Sequence, residues 1–101
     1  MLPSSYRLLL IRSEVARDPS QPALAIVDAD ELAVLRNLGR RKLPPEPTAR
    51  EVYLAIAQLG GYSRYAKHDP GWHTLAAGYE RLEILTLGWR LAKLRPASDQ
   101  P

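Results

Sequence analysis

The sequence contains no cysteine, and that absence excludes several kinds of site. Without thiols the chain has no disulfide, no thiol nucleophile and no cysteine-based zinc site. Long apolar runs are also missing, since the run at residues 8–11 is far too short for a signal sequence or a membrane span. We therefore expect a cytoplasmic protein with no membrane partner.

Residues for catalysis and metal binding are sparse as well. The only two histidines, His68 and His73, are five positions apart, whereas zinc-binding pairs on helices are four apart. The serines lack the context of a nucleophile elbow or a triad. Gly60 and Gly61 follow a helical pattern instead of preceding one, so they do not form a phosphate-binding loop. We expect no enzymatic activity, no metal, no cofactor and no small-molecule substrate.

What is present is typical of a small globular protein. The 101 residues are 46% hydrophobic and 25% charged, which is enough for one modest core. The net charge of +3 says little about nucleic acid by itself. One basic cluster exists, Arg40, Arg41 and Lys42. It is either a solvated loop or a set of contacts to DNA phosphates.

Helical periodicity and capping residues predict an all-α bundle of about four helices. Asp28 with Glu31, and Thr48 with Glu51, have the spacing of capping boxes. Glycines close the second and third helices. Asp69-Pro70 resembles an N-cap followed by proline at the first helical position. The helices are expected over about residues 5–17, 28–39, 48–60 and 72–94, the last being the longest.

The segments between the helices divide the chain into regions. The apolar segment 23–27 is interpreted as an extended, partly buried connector, because a lone strand has no visible partner. The prolines in residues 44–47 predict another extended segment, the best candidate for a linker. We therefore expect an N-terminal region of two helices over 1–47, a helix-turn-helix-like region over 48–95 and a frayed tail over 96–101.

The last helix is apolar on two sides. One stripe should pack on the third helix and comprises Trp72, Leu75, Tyr79, Leu82, Leu85 and Trp89. A second set is expected to pair weakly with another copy, with Gly88 and Ala92 forming a notch for the approaching helix. This predicted dimer interface consists of Ile84, Leu85, Gly88, Leu91, Ala92 and Arg95.

One combination of residues resembles a known family. The features are Ala-Ile-Ala-x-Leu-Gly-Gly-Tyr at residues 55–62, a basic turn, Gly-Trp-x-x-Leu at 71–75, Gly78-Tyr79, Leu82 and Gly88-Trp89. Together they resemble the C-terminal dimerisation region of bacterial DDE transposases, in the insertion-sequence group that includes the transposase of transposon five. The resemblance is closest over residues 48–94 and looser over 5–47.

The resemblance implies a non-catalytic part of a cut-and-paste DNA transposase. The catalytic core of such enzymes ends in a signature of Tyr, two residues, Arg, three residues, Glu, six residues and Lys. Counted from Tyr6, Leu9 takes the arginine place and Ser13 the glutamate place, so the signature is absent. We expect the chain to begin just after the core would end. Its partner would be itself or a full-length transposase, with inhibition through mixed dimers and at most weak contact with transposon-end DNA.

A helix-turn-helix DNA-binding domain is the alternative. Two helical patterns around a Gly-Gly turn are compatible with it. However, the second of these helices would begin with Trp72, His73, Thr74 and Leu75, which are poorly suited to reading base edges. The dimerisation interpretation is therefore preferred.

Overall fold

Four α-helices account for most of the chain, as the sequence predicts. The computed structural model describes residues 4–63 and 65–94, with side chains from Tyr6 onward. Within these ranges the helices span Ser4–Arg17 (α1), Ala29–Leu38 (α2), Ala49–Leu59 (α3) and Trp72–Leu94 (α4). The all-α prediction, with a long last helix, is confirmed. The expected frayed tail lies outside the described residues.

Both predicted capping boxes are present and fix the starts of α2 and α3. The Asp28 carboxylate accepts from the Glu31 N–H at 2.8 Å, and the Glu31 carboxylate accepts from the Asp28 N–H at 2.9 Å. Thr48 and Glu51 make the same reciprocal pair at 3.3 and 3.0 Å. After α3, Gly61 has a φ of +101°, a conformation that residues with a Cβ rarely adopt.

The predicted cap of α4 is wrong, although the helix does begin at Trp72. The carbonyl of Gly71 accepts the first helical hydrogen bond, from the N–H of Leu75 at 3.0 Å. Asp69 instead accepts a hydrogen bond from Arg50 Nη2 at 2.6 Å. This tertiary ion pair holds Asp69 beside the start of α3, so its carboxylate is not used to cap α4.

The interpretation of residues 23–27 as an extended connector is also wrong. They contain one turn of 3-10 helix over Ala23–Ala25, and the N–H groups of Ile26 and Val27 both donate to the carbonyl of Ala23 at 3.0 Å. Ala23, Ile26 and Val27 are buried. Residues three apart lie on the same side of a 3-10 turn. This conformation therefore places Ala23 and Ile26 in the core together.

The proline-containing segment is hydrogen-bonded to the rest of the bundle. The carbonyl of Pro47 accepts from the N–H of Ala23 at 3.0 Å. The guanidinium of Arg36 donates to the carbonyls of residues 43–45 at 3.4, 3.1 and 3.4 Å. Leu43 and Pro47 are buried. The regions on either side of this segment therefore contribute to one shared core.

Helix α3 is central to that core, and its contact with α4 is the most extensive between helices. The two backbones approach closely at two glycines. A Cβ at Gly78 would lie 1.8 Å from the carbonyl oxygen of Ile56, and one at Gly60 would lie 2.0 Å from that of Thr74. Only glycine permits this approach. The close crossing fixes the direction in which α4 leaves the bundle.

Candidate interaction surface

The side of α4 that was predicted to pack on the third helix does face the core. Leu75, Tyr79 and Leu82 are buried, and Trp72, Leu85 and Trp89 pack partly buried against the same cluster. Leu85 also belongs to the predicted dimer interface. Its contact with the core means that it is at most the edge of a surface on the other side of the helix.

The opposite side of the second half of α4 carries large exposed hydrophobic residues. We call Ile84, Leu87, Leu91 and Leu94 the exposed stripe; these residues are 64%, 60%, 56% and 76% exposed. Their three- and four-residue spacing places them on one side of the helix. Ile84 and Leu91 belong to the predicted dimer interface, whereas Leu87 and Leu94 were missed. The same periodicity, continued through the helix, would have found both.

Gly88 and Ala92 flank the exposed stripe and are themselves exposed. An added Cβ at Gly88 would meet no atom within 4 Å, in contrast to Gly78 on the same helix. The surface beside the stripe is therefore shallow and open, as the predicted notch requires. Arg95, the last residue of the predicted interface, lies outside the described residues.

Ion pairs attach this half of α4 to the start of α2. Arg90 donates to Asp30 at 3.1 Å and also contacts Asp28, while Lys93 Nζ donates to Asp30 at 2.8 Å. Hydrogen bonds from Lys93 and then Arg90 lower the pKa of Asp30. Both aspartates lie at the start of α2, where the helix macrodipole also favours a negative charge. Their ionic partners are about sixty residues away along the chain, at a spacing that no local pattern shows.

A buried carboxylate lies next to these ion pairs. Glu31 is 4% exposed and accepts a hydrogen bond from Arg7 Nη2 at 2.9 Å, in addition to its capping bond. Burial raises the pKa of Glu31, against the lowering effects of the Asp28 backbone hydrogen bond and of Arg7. Glu31 therefore connects α1 to α2 at the same end of the bundle where α4 is attached.

A groove of about 510 Å³ runs beside the exposed stripe and includes Ile84 and Leu87 in its wall. Tyr79 lies at its base, and burial raises the pKa of this phenol to about 12, so it is neutral at physiological pH. Thr86 also lines the groove, is 2% exposed and has an Oγ1 atom with no hydrogen-bond partner in the described part of the chain. That hydroxyl is too enclosed for a ligand to reach.

The basic cluster lies in the loop after α2, before the buried Leu43. Arg40 and Lys42 are exposed and Arg41 is partly exposed. No described carboxylate lies within ion-pair distance of these three residues. Their charge is therefore available to solvent or to an anionic partner, and the two interpretations made from the sequence both stay open.

The histidines and the start of α4 offer little chemistry. His68 and His73 are both exposed. Among residues 4–63 and 65–94, no three histidine, aspartate or glutamate side chains come together as metal ligands. The exposed positions in the first three turns of α4 are His73, Ala77, Glu80 and Arg81. Arg81 is the one arginine or lysine among these four, and a small residue and a carboxylate beside it are poorly suited to contact with a DNA groove.

Comparison with protein-family models, curated proteins and solved structures finds no match to this chain. The resemblance to transposase dimerisation regions therefore depends on the residue pattern alone, which is closest over residues 48–94. In the described residues, no helix is both long and apolar enough to cross a membrane.

Proposed function

We propose that this chain is a non-catalytic dimerisation module of a cut-and-paste DNA transposase. The exposed stripe on α4 is the observation that carries the proposal. It exposes Ile84, Leu87, Leu91 and Leu94 on a helix that already has a complete packed side. Contiguous exposed apolar surface of this kind is typical of a protein interaction site. The resemblance of residues 48–94 to transposase dimerisation regions supplies the class of protein.

A second copy of the same chain is the occupant that fits this surface best. The central residues of the surface, Leu87, Gly88 and Leu91, are uncharged, so two copies can meet without burying like charges. Gly88 leaves room for close approach of another helix. A two-fold contact requires a self-complementary patch, and an apolar stripe crossed by its own copy meets that requirement.

The size of the stripe suggests weak pairing. Four exposed side chains over three turns bury less than the roughly 1,600 Å² of a standard stable interface. We expect a dissociation constant in the micromolar range or weaker. In a full-length transposase, transposon-end DNA would add contacts and strengthen the assembly.

Pairing would bring two catalytic cores into one complex, so that each can act on the transposon end held by its partner. This chain lacks the core signature and would catalyse nothing itself. Paired with an intact transposase it would yield a dimer with one active core, and so act as an inhibitor. We place it in the cytoplasm. Contact of the basic cluster Arg40, Arg41 and Lys42 with DNA would be weak, nonspecific and sensitive to salt.

Analytical ultracentrifugation across a range of concentrations tests the proposal. Wild type should associate, whereas Ala92→Asp should remain monomeric, because a two-fold contact places the new charge in the interface twice. Ala77→Asp is the matched control. It makes the same change at an exposed position about 22 Å away along the helix, at about 1.5 Å per residue, and should associate like wild type.

Two outcomes would reject the assignment. Wild type could sediment as a monomer at several hundred micromolar, or Ala92→Asp could unfold, which would place Ala92 in the core. A tight, sequence-selective DNA footprint would instead favour the helix-turn-helix alternative, against which the exposed residues at the start of α4 argue.

A further inference from the structure

A second cluster of charged and polar side chains lies between α1, the start of α3 and the loop before α4. Arg12 and Arg50 line a surface cavity of about 420 Å³ together with Tyr53. Asp69 is the only acidic residue among those that line it. Two guanidinium groups and one carboxylate leave this cavity with a net positive charge.

Arg12 has its hydrogen-bond donors available. Its guanidinium carbon lies 5.8 Å from the centre of a ring of Trp72. A cation–π contact of this kind positions the charge without occupying any of the five N–H donors of the guanidinium. No carboxylate of the described residues lies within ion-pair distance of Arg12.

Arg50 is held in place but keeps most of its donors. Its Nη2 donates to Asp69 at 2.6 Å, and its guanidinium carbon lies 5.8 Å from the ring centre of Tyr53. One carboxylate contact uses a single donor of the group. Arg50 is therefore fixed at the cavity wall by its neighbours, with further N–H groups that have no described acceptor.

Tyr53 lines the cavity and is 5% exposed, and its hydroxyl makes no hydrogen bond to the described residues. Unlike the Thr86 hydroxyl, it is not fully enclosed, so a bound group can reach it. Burial raises the pKa of Tyr53 more than Arg12 and Arg50 lower it. The phenol is therefore protonated at physiological pH and can donate a hydrogen bond.

We propose that this cavity binds the oxyanion of a phosphate group, with Arg12, Arg50 and Tyr53 donating to its oxygens. Donors from α1 and from two positions on α3 match a tetrahedral anion with several acceptor oxygens better than a planar carboxylate with two. The arginine fork is suited to phosphate. The proposal is independent of the pairing function. The phosphate can be a free ion or a phosphodiester of nucleic acid, which share this chemistry.

Titration with inorganic phosphate, followed by the backbone amide NMR spectrum, tests the site. Ionic strength is kept constant by exchanging chloride for phosphate. Saturable shifts are expected at the amides of Arg12, Arg50 and Tyr53. Arg12→Gln should weaken binding by at least about tenfold, because it removes charge-assisted hydrogen bonds. Tyr53→Phe, which keeps the ring, should weaken it by about fivefold.

Arg17→Gln is the matched control. Arg17 lies on the same helix, but its guanidinium already donates to the Glu14 carboxylate at 2.8 and 2.9 Å. This variant should bind phosphate like wild type. Shifts that do not saturate, or equal affinities for wild type, Arg12→Gln and Tyr53→Phe, would overturn the proposal. Thermal melts establish whether each variant is folded. If Arg12→Gln does not fold, the phosphate affinity of Tyr53→Phe decides whether the proposal holds.

A second titration identifies the source of the phosphate. Fluorescence anisotropy with a DNA duplex of mixed sequence compares wild type with Arg12→Gln. Weaker binding by the variant would assign the site to nucleic-acid phosphodiesters. Equal binding, together with the expected phosphate titration, would assign it to small phosphate compounds. Either result supports a phosphate site.

Discussion

The two halves of α4 are held to the bundle by different means. In the first half, Gly78 brings the helix backbone against the carbonyl of Ile56, and Leu75 and Leu82 are buried in the core. In the second half, Leu85 and Trp89 are only partly buried against the core, Arg90 and Lys93 are paired with aspartates at the start of α2, and one side of the helix remains exposed.

The difference separates stability from association along a single helix. Close packing of backbones tolerates no added atom, so the first half of α4 should determine whether the bundle folds. Exposed ion pairs contribute little to stability, but they restrict the position of the second half and so of the exposed stripe. Substitutions at the packed positions of the first half should therefore destabilise or unfold the chain, and substitutions in the exposed stripe should change only its pairing.

Gly78→Ala should have the largest effect. The new methyl group would lie 1.8 Å from the Ile56 carbonyl oxygen, and backbone atoms on both helices would have to move apart. We expect a loss of more than about 4 kcal/mol, or no folding at all. Chemical denaturation followed by circular dichroism measures it.

Gly88→Ala is the control for that substitution, on the same helix and at an open position. It should raise the stability of the monomer by about 0.5–1 kcal/mol, because alanine has the higher helix propensity. If both glycine variants had the same stability, the close crossing of α3 and α4 would not be what holds the first half of α4 to the bundle.

Two leucines on α4 provide the second comparison. Leu82 is fully buried and Leu91 is 56% exposed. Leu82→Ala should destabilise the chain by about 2–5 kcal/mol by leaving a cavity. Leu91→Ala should change the stability of the monomer by at most about 0.5 kcal/mol but weaken self-association. Denaturation at low concentration and sedimentation at high concentration measure the two effects separately. A large loss of monomer stability in Leu91→Ala would show that the exposed stripe is core.

The helices could be predicted from the sequence because capping is local. Asp28 and Glu31, or Thr48 and Glu51, are only three residues apart, so the pattern contains the whole interaction. The cap of α4 could not be predicted, because Asp69 pairs with a residue nineteen positions earlier. The ion pair with Arg50 therefore takes the place of the local capping hydrogen bond.

The interaction surface, too, could be predicted where it depends on local spacing and not where it depends on tertiary contacts. Periodicity alone indicates that Ile84 and Leu91 share a side of α4, and it extends to Leu87 and Leu94. Whether Leu85 faces the core or solvent depends on how α4 is rotated against α3. That rotation is set by the contact between Gly60 and Gly78, which brings together residues from two helices. The sequence shows the glycines but not which backbone each one approaches.

Thr86→Val should stabilise the chain modestly. The Thr86 hydroxyl is buried on the packed side of α4 without a partner among the described residues. Valine has a similar shape and carries no polar group to desolvate, so we expect a gain of about 1 kcal/mol. Thermal and chemical denaturation measure it. Thr86→Ser keeps the hydroxyl and removes a methyl group, so it should be less stable than wild type. A loss of stability in Thr86→Val would mean that the hydroxyl is hydrogen-bonded in solution.

Asp30→Asn should have the smallest effect, recognisable by its dependence on pH and salt. Hydrogen bonds from Lys93 and Arg90 lower the pKa of Asp30 in the folded chain. The stability that Asp30 contributes is therefore fully present above its unfolded pKa and is lost as the pH falls through its folded pKa. Wild type should be slightly more stable than Asp30→Asn at neutral pH, and the difference should vanish in strong acid. It should also shrink in high salt, because the pairs are exposed.

Comparing the two proteins at each pH isolates Asp30 from Glu31, whose effect has the opposite sign. Burial raises the folded pKa of Glu31, so its contribution decreases as the pH rises from the unfolded pKa towards the folded one. Glu31 is present in both proteins and largely cancels in the difference. Melting curves from acid to neutral pH, in low and high salt, measure that difference. A difference independent of pH would mean that Asp30 stabilises α2 through packing or hydrogen bonds that do not need its charge, and that Arg90 and Lys93 do not hold the second half of α4.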